Sequence, residues 1–334
     1  MQEQTKINKV LEGFQITSRT EKTKENYMAR AFQLLKRAKR ELDIKENEEI
    51  DVRQFVVWLV EKKPKIARAT WRQYKSSVVY YLEQHPNIQE SIEALEYLKE
   101  ITSIGAITDS ERTSSLKLKK IPYKDWLKLN NYLAQKNKKW HEQLRMWLRA
   151  SIITGLRPIE WKNAILTECD GKQVLKIQNA KATNGRSHGP TRTLLLDKLT
   201  EDDLKAIKAH LNNVRIFVGM DEYDYFYKKC ATTLYKACRK CWPRRKGHIT
   251  LYSARHQFSA NAKSSGFSKA EIAAMMGHAV DITATIHYGR KQAGNEIVNI
   301  LPSEDEVARV RIIKTPDFKA IREDFGKDKE SLVE

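Results

Sequence analysis

Apolar side chains recur at helical spacing along most of this chain, and the places where that rhythm breaks divide it. Between 24 and 42, Tyr27, Ala31, Leu34, Leu35, Ala38 and Leu42 share one stripe, with lysines and arginines opposite. This predicts an amphipathic helix. A second is predicted over 51–61, with Phe55, Trp58 and Leu59 turned inward. Thr70 reads as the N-cap of a third, in which Trp71, Tyr74, Val78, Tyr81 and Leu82 recur. His85-Pro86-Asn87 stops it, and a short fourth helix is predicted over about 88–101.

From 102 to 120 the pattern turns polar and loses its period: Ser, Thr and Gly, then Lys117, Lys119 and Lys120. That segment reads as a basic linker. Helical spacing returns near Ile121-Pro122-Tyr123, with helices predicted over 123–136 and 138–154. A strand is predicted over 172–181 (Val174, Leu175, Ile177), a turn over 182–190 and a second strand over 191–196. Helices dominate again from 201 to 300, and the last segment holds an apolar patch (Val307, Val310, Ile312, Ile313) before a charged tail. The pattern implies a mainly α protein: a helical N-terminal domain, then a mixed α+β domain of helices with a small antiparallel sheet.

Charge changes the picture. Among 334 residues, 61 Lys and Arg against 42 Asp and Glu leave a formal charge of +19, which favours a polyanionic partner. Nucleic acid fits, with affinity falling steeply as salt rises. No stretch approaches the roughly 20 apolar residues that span a bilayer, and the first ten residues lack an apolar signal core. A cytoplasmic protein is expected. Four cysteines make no disulfide framework in a chain this long. Cys238 and Cys241 have zinc-knuckle spacing, with Cys230 and His248 nearby, but a zinc site pairs two tight clusters. Reduced thiols on a helix are expected, and no metal.

Four short boxes carry candidate chemistry. They are Thr154-Gly155-Leu156-Arg157-Pro158-Ile159-Glu160, then Tyr252-Ser253-Ala254-Arg255-His256, then Met276-Gly277-His278, then Tyr288-Gly289-Arg290. A phosphodiester in transfer spreads negative charge over its non-bridging oxygens, and a guanidinium fork meets two of them at once. Two arginines, a histidine and a tyrosine hydroxyl suit phosphoryl transfer through a covalent tyrosine. No Gly-x-x-x-x-Gly-Lys-Ser/Thr phosphate loop is present.

In order and spacing, across roughly residues 20–300, these boxes resemble the tyrosine recombinase (phage-type integrase) family. Two departures stand out. The family's second box usually opens on His or Lys, where this chain has Tyr252, and its tyrosine usually follows the Gly-His histidine by nine residues, against ten here. The resemblance implies an integrase-like fold: an extension at 1–19, a helical core-binding domain at 20–103, a linker at 104–120, a catalytic domain at 121–300 and a tail at 301–334 that carries an inter-protomer helix. It implies a site-specific recombinase of double-stranded DNA, with Tyr288 as nucleophile. Arg157 and Arg255 clamp the phosphate, Lys181 protonates the leaving oxygen, and His278 and Tyr252 assist. Glu160 supports Arg157, and His256 stands behind. Lys117, Lys119, Lys120 and Arg186 are expected on DNA.

No cofactor is expected, since the covalent link conserves the phosphodiester energy and arginine and lysine supply the counter-charge. The resemblance further implies a bacterial, nucleoid-associated protein of a mobile element, a homo-tetramer on DNA and a monomer or dimer when free, with a possible accessory directionality factor. Two rivals remain open: a DNA-relaxing topoisomerase of the same chemistry, and a catalytically impaired sequence-specific DNA-binding protein of the same fold.

Overall fold

The computed structural model describes residues 19–313 except 86–88, 109–115, 137, 170, 181 and 183–185. The N-terminal extension, the middle of the linker, the tail beyond 313 and Lys181 therefore lie outside the described residues. The chain divides into two compact units, one up to Arg112 and one from Thr113.

The first unit is built from α1 (Glu21–Glu41), α2 (Val52–Lys62), α3 (Arg68–Glu83) and α4 (Gln89–Glu100). Their apolar stripes close on one core of Phe55, Trp58, Leu59, Trp71, Val78, Leu82, Leu95 and Leu98. Thr20 and Asp51 cap the first two helices, each accepting a backbone N–H three residues on. Thr70 does not play that part in α3, which starts before it and has Ala67 at its N-cap. The missing side-chain cap is replaced by the chain itself: Arg68 N–H donates to Ile107 O at 3.0 Å. A backbone carbonyl from after the fourth helix thus satisfies the first free donor of a helix that has no side-chain cap.

The second unit opens with α5 (Tyr123–Gln135) and α6 (Lys139–Thr154). Every residue from Ala150 to Thr154 at the end of α6 is buried, so this helix runs through the core beside Trp147, Trp161, Phe226 and Phe258. A short 3₁₀ turn, Pro158–Asn163, leads into a sheet of β1 (Ile165–Cys169), β2 (Lys172–Gln178), β3 (Thr191–Leu195) and β4 (Leu301–Pro302), antiparallel throughout in that order. The strand β1 was not expected; its positions are mostly exposed and show no clear alternation. In β3 the alternation is clear, and across the β2–β3 pair Leu175 stands opposite Leu194 and Ile177 opposite Arg192, all four buried.

Helices α7 (Glu201–Gly219), α8 (Tyr223–Cys241), α9 (Leu251–Ser264), α10 (Lys269–Met276), α11 (Thr283–His287) and α12 (Glu304–Ala308) complete the unit. Cys230 and Cys238 are buried in α8 among apolar side chains. Val307 and Val310 cover Ala270, Ala273 and Ala274 of α10, so residues 301–310 pack on their own chain, while Ile312 and Ile313 are exposed. No helix among the described residues is long and apolar enough to cross a membrane. The expected class, mainly α with a small antiparallel sheet, is what the structure has.

Candidate functional site

Two helix ends and one helix face build the site. Helix α6 stops at Gly155, whose φ of 67° is the left-handed conformation that ends helices. A Cβ there would stand 2.2 Å from the Phe258 ring, so only glycine lets α9 cross this close. The crossing places the Gly155 carbonyl 2.6 Å from Arg255 Nη1 on α9. Helix α10 stops in the same way at Gly277, φ 65°, where a Cβ would meet Asn179 Oδ1 and Arg192 Nη1. That turn brings Met276 O to 2.6 Å and His278 Nε2 to 3.0 Å from Arg255 Nη2. Because a guanidinium can only donate, His278 Nε2 is the acceptor and the neutral ring carries its proton on Nδ1.

Tyr288 follows α11 and faces these groups. Its hydroxyl lies 3.1 Å from the Tyr252 hydroxyl and accepts from Arg255 Nε at 3.4 Å. The rings of His256 and His278 stand 4.9 and 5.1 Å from its ring. The half-buried ammonium of Lys263 donates to Ala284 O at 2.8 Å and Gly289 O at 2.7 Å, fixing the backbone on both sides of the tyrosine.

Arg157 begins the 3₁₀ turn and closes on Glu160, which accepts from its Nη1 at 2.5 Å and its backbone N–H at 2.7 Å. Glu160 is itself buried and accepts from Arg192 Nη2 at 2.8 Å, with Arg255 Nη1 3.6 Å away. Three guanidiniums thus surround one carboxylate. The cluster carries excess positive charge in a place shielded from water, where charge acts most strongly.

The titration behaviour follows. Burial opposes ionisation of Glu160, but Arg192, Arg255 and Arg157 prevail and hold its carboxyl far below the usual range. Burial and the neighbouring arginines push the His278 imidazole well below its ordinary value, so it is neutral near pH 7. Burial raises the Tyr252 phenol, which keeps its proton. Burial would raise Tyr288 too, yet Arg255, the Tyr252 hydrogen bond and Arg157 lower it to about 8. The two phenols are driven apart. Burial lowers His256 to about 4, with Lys119, Arg255 and Lys263 adding to it.

The structure thus brings Arg157, Glu160, Tyr252, Arg255, His256, His278 and Tyr288 together. Cavities of about 470 and 850 Å³ flank them, the first lined by Lys117, Lys119, Tyr252 and His256, the second by Lys119, Lys120 and Tyr288. Arg186 is exposed, and its carbonyl accepts from Ala279 N–H beside His278. Lys181 lies outside the described residues, directly after Ala180, whose N–H approaches Glu160 Oε1 at 3.4 Å. Three residues of this neighbourhood were not singled out from sequence: Lys263, Asn179 and Arg192. Only Arg192 left a signal, as a charge in phase with Leu194 and Leu196 on the inward face of a strand.

No family model and no curated protein matches the chain. Solved structures do. A lambda integrase dimer bound to a COC′ core site aligns with 87% of this chain and 78% of its own, at TM-score 0.50 and 14% identity. The fold is that of the integrases. A lambda integrase tetramer bound to a Holliday junction covers 87% of this chain and 77% of its own, at 0.49 and 17%. A XerH site-specific recombinase bound to a palindromic difH substrate covers 78% and 74%, at 0.46 and 14%. The resemblance carried by the four boxes therefore holds at the level of fold, and those boxes converge in one place within the integrase fold.

Proposed function

We propose that this protein is a site-specific recombinase that cuts and rejoins double-stranded DNA through a covalent bond to Tyr288. The observation that carries this is the Tyr288 hydroxyl itself, seated against Arg255 and Tyr252 and lowered to about 8. At pH 7 about a tenth of such a phenol is ionised, against about a thousandth at the ordinary value near 10. Phenolate attack on phosphorus forms the tyrosyl–phosphate bond and breaks the bond to the 5′ oxygen. The products are a 3′-phosphotyrosyl link and a 5′ hydroxyl.

Arg157 and Arg255 receive the charge that builds on the non-bridging oxygens, the use to which preorganised buried donors are best put. His278, neutral and already an acceptor, takes the nucleophile's proton once the phosphate draws Arg255 toward itself. Tyr252 donates a hydrogen bond, and Lys181 supplies the leaving oxygen's proton. Lys117, Lys119, Lys120 and Arg186 contact the DNA backbone, and His256 sits behind the tyrosine. Strand exchange requires four such sites, hence a tetramer on DNA, in the service of a mobile element.

The test is a library of nicked duplexes drawn from the DNA flanking this chain's own gene, incubated with the protein and run on a denaturing gel. Wild type is expected to leave protein covalently on DNA, and Tyr288→Phe to bind without leaving any. An adduct that persists in Tyr288→Phe assigns the attack to another tyrosine, Tyr252 first. Binding without any wild-type adduct favours a DNA-binding protein that has lost its chemistry.

A further inference from the structure

Arg192 is fully buried on β3, at a position where the alternation calls for an apolar side chain. Burying a guanidinium costs several kcal/mol before any partner is counted, and a packed aliphatic side chain escapes that cost. Stability alone does not explain it. Its three donor groups reach three different elements: Nε donates to Met275 O on α10 at 2.9 Å, Nη1 to Asn179 Oδ1 just after β2, and Nη2 to Glu160 Oε2 at 2.8 Å.

Glu160 explains what the arrangement achieves. One of its oxygens serves the Arg157 guanidinium, and the other serves the Arg157 backbone and Arg192. The next cation within reach of that second oxygen is Arg255, at 3.6 Å. A carboxylate released by Arg192 would swing toward Arg255, the nearest other guanidinium. It would then loosen Arg157 and pull Arg255 from the Tyr288 hydroxyl. The bond to Met275 O meanwhile holds the last turn of α10, from which His278 projects, and Asn179 ties that turn to the end of β2.

We propose that Arg192 is a positioning residue for strand cleavage: it pins Glu160 to Arg157 and away from Arg255, leaving both guanidiniums aimed at the phosphate. This rests on the recombinase reading above. Arg192 never touches DNA in this arrangement, so its loss should act on cleavage and leave binding alone. Displacements of about 1 Å at such a site cost on the order of a hundredfold in rate.

The experiment measures adduct formation at saturating nicked duplex and, separately, affinity for intact duplex, for wild type, Arg192→Lys, Arg192→Gln and Asn179→Ala. Arg192→Gln is expected to slow adduct formation about a hundredfold with affinity within about twofold, and Arg192→Lys to recover part of the rate. In a Glu160→Gln background, Arg192→Gln should slow the reaction far less than it does in wild type, only the share carried by Met275 and Asn179 being left to lose. Asn179→Ala, which keeps the buried ion pair, should still slow it about threefold and carries the test if the Arg192 variants do not fold. Rates equal to wild type in folded variants, or parallel losses of binding and rate, overturn the proposal. A wild-type protein that forms no adduct overturns the reading beneath it, and the proposal with it.

Discussion

In the first unit, ion pairs lie at or near the surface around an aromatic and aliphatic core, the partly buried pair of Arg19 with Glu83 being the deepest among the described residues. Arg37 with Glu41 and Arg53 with Glu93 join partly exposed side chains on or between helices, while Phe55, Trp58 and Trp71 fill the interior. In the second unit, Arg157, Arg192 and Arg255 converge on Glu160 with almost no solvent contact. The first unit places its charges where they cost least. The second concentrates an excess of like charge in its interior, which a fold optimised for stability alone would avoid. That contrast marks the place where the proposed recombinase would hold charge ready for a phosphate.

Removing a charge should therefore matter in proportion to its burial, and the largest effects belong to the arginines. Arg157→Ala or Arg255→Ala should cut adduct formation by about a hundredfold or more while DNA affinity, spread over many phosphates, changes little. Equal losses in a filter-binding assay and on the denaturing gel would make them ordinary anchors. Next comes Glu160→Gln, which keeps the shape and deletes the only counter-charge the three guanidiniums share among the described residues. A loss of about 3–5 kcal/mol in denaturant unfolding is expected, as when one member of a buried ion cluster is removed. A variant as stable as wild type would mean that water or anions neutralise the cluster.

A smaller effect concerns the core of the same unit. His210 is buried between Trp147 and Trp161 with neither ring nitrogen hydrogen-bonded, and burial lowers it to about 3. The unfolded chain takes up this proton near pH 6.5 and the folded chain does not until about 3. Stability is thus lost as pH falls through that window, by about 2 kcal/mol at pH 5. His210→Phe should flatten the pH dependence there by one proton. An unchanged slope would show that the ring is protonated or hydrated in the fold.

What was legible in the sequence follows the same division. The helices of the first unit could be read from their stripes, because each buries one face against its neighbours. The strand β1 could not, since it is paired on one edge and mostly exposed, so no alternation was imposed on Ile165 to Cys169. The start of α3 was misread because its first donor is met by Ile107, a contact no local pattern records. At the site, the spacing of Arg157, Arg255, His278 and Tyr288 could be read because turns and helix ends fix it. Which group each side chain meets could not. Tyr252, expected to assist, meets the Tyr288 hydroxyl, a pairing its position in the box does not announce, while Lys263 contributes through backbone carbonyls that leave no sequence signature.

Tyr252 gives the finer test within the site. Its hydroxyl keeps its proton and lies 3.1 Å from that of Tyr288, where it is the donor to the ionised phenol and one of the groups that lower Tyr288 to about 8. Adduct formation in wild type should rise with pH with a midpoint near 8 and level off above it, since the phenolate is the reactive form in the proposed reaction. Tyr252→Phe removes the donor, so the midpoint should move up toward the ordinary phenol value. The rate at pH 7 should fall about tenfold, the worth of one modest hydrogen bond. A silent substitution with an unmoved profile would reduce Tyr252 to packing. A loss as complete as that of Tyr288→Phe would make it the second essential phenol of the site.

The smallest expected effect closes the comparison from the other side. Arg53 and Glu93 pair at 2.6 Å between α2 and α4, yet both side chains are about half exposed. Solvent screens such a pair, and holding two long side chains in one geometry offsets most of the attraction. Arg53→Met should leave the melting midpoint where it is, in low salt as in high. If it lowers the midpoint as Glu160→Gln does, burial does not decide what a charge is worth here. If Arg53→Met instead weakens DNA affinity, with stability and adduct yield at saturating DNA unchanged, the arginine belongs to the basic surface that meets the duplex. Its bond to Glu93 would then be what the unbound protein does with a side chain reserved for phosphate.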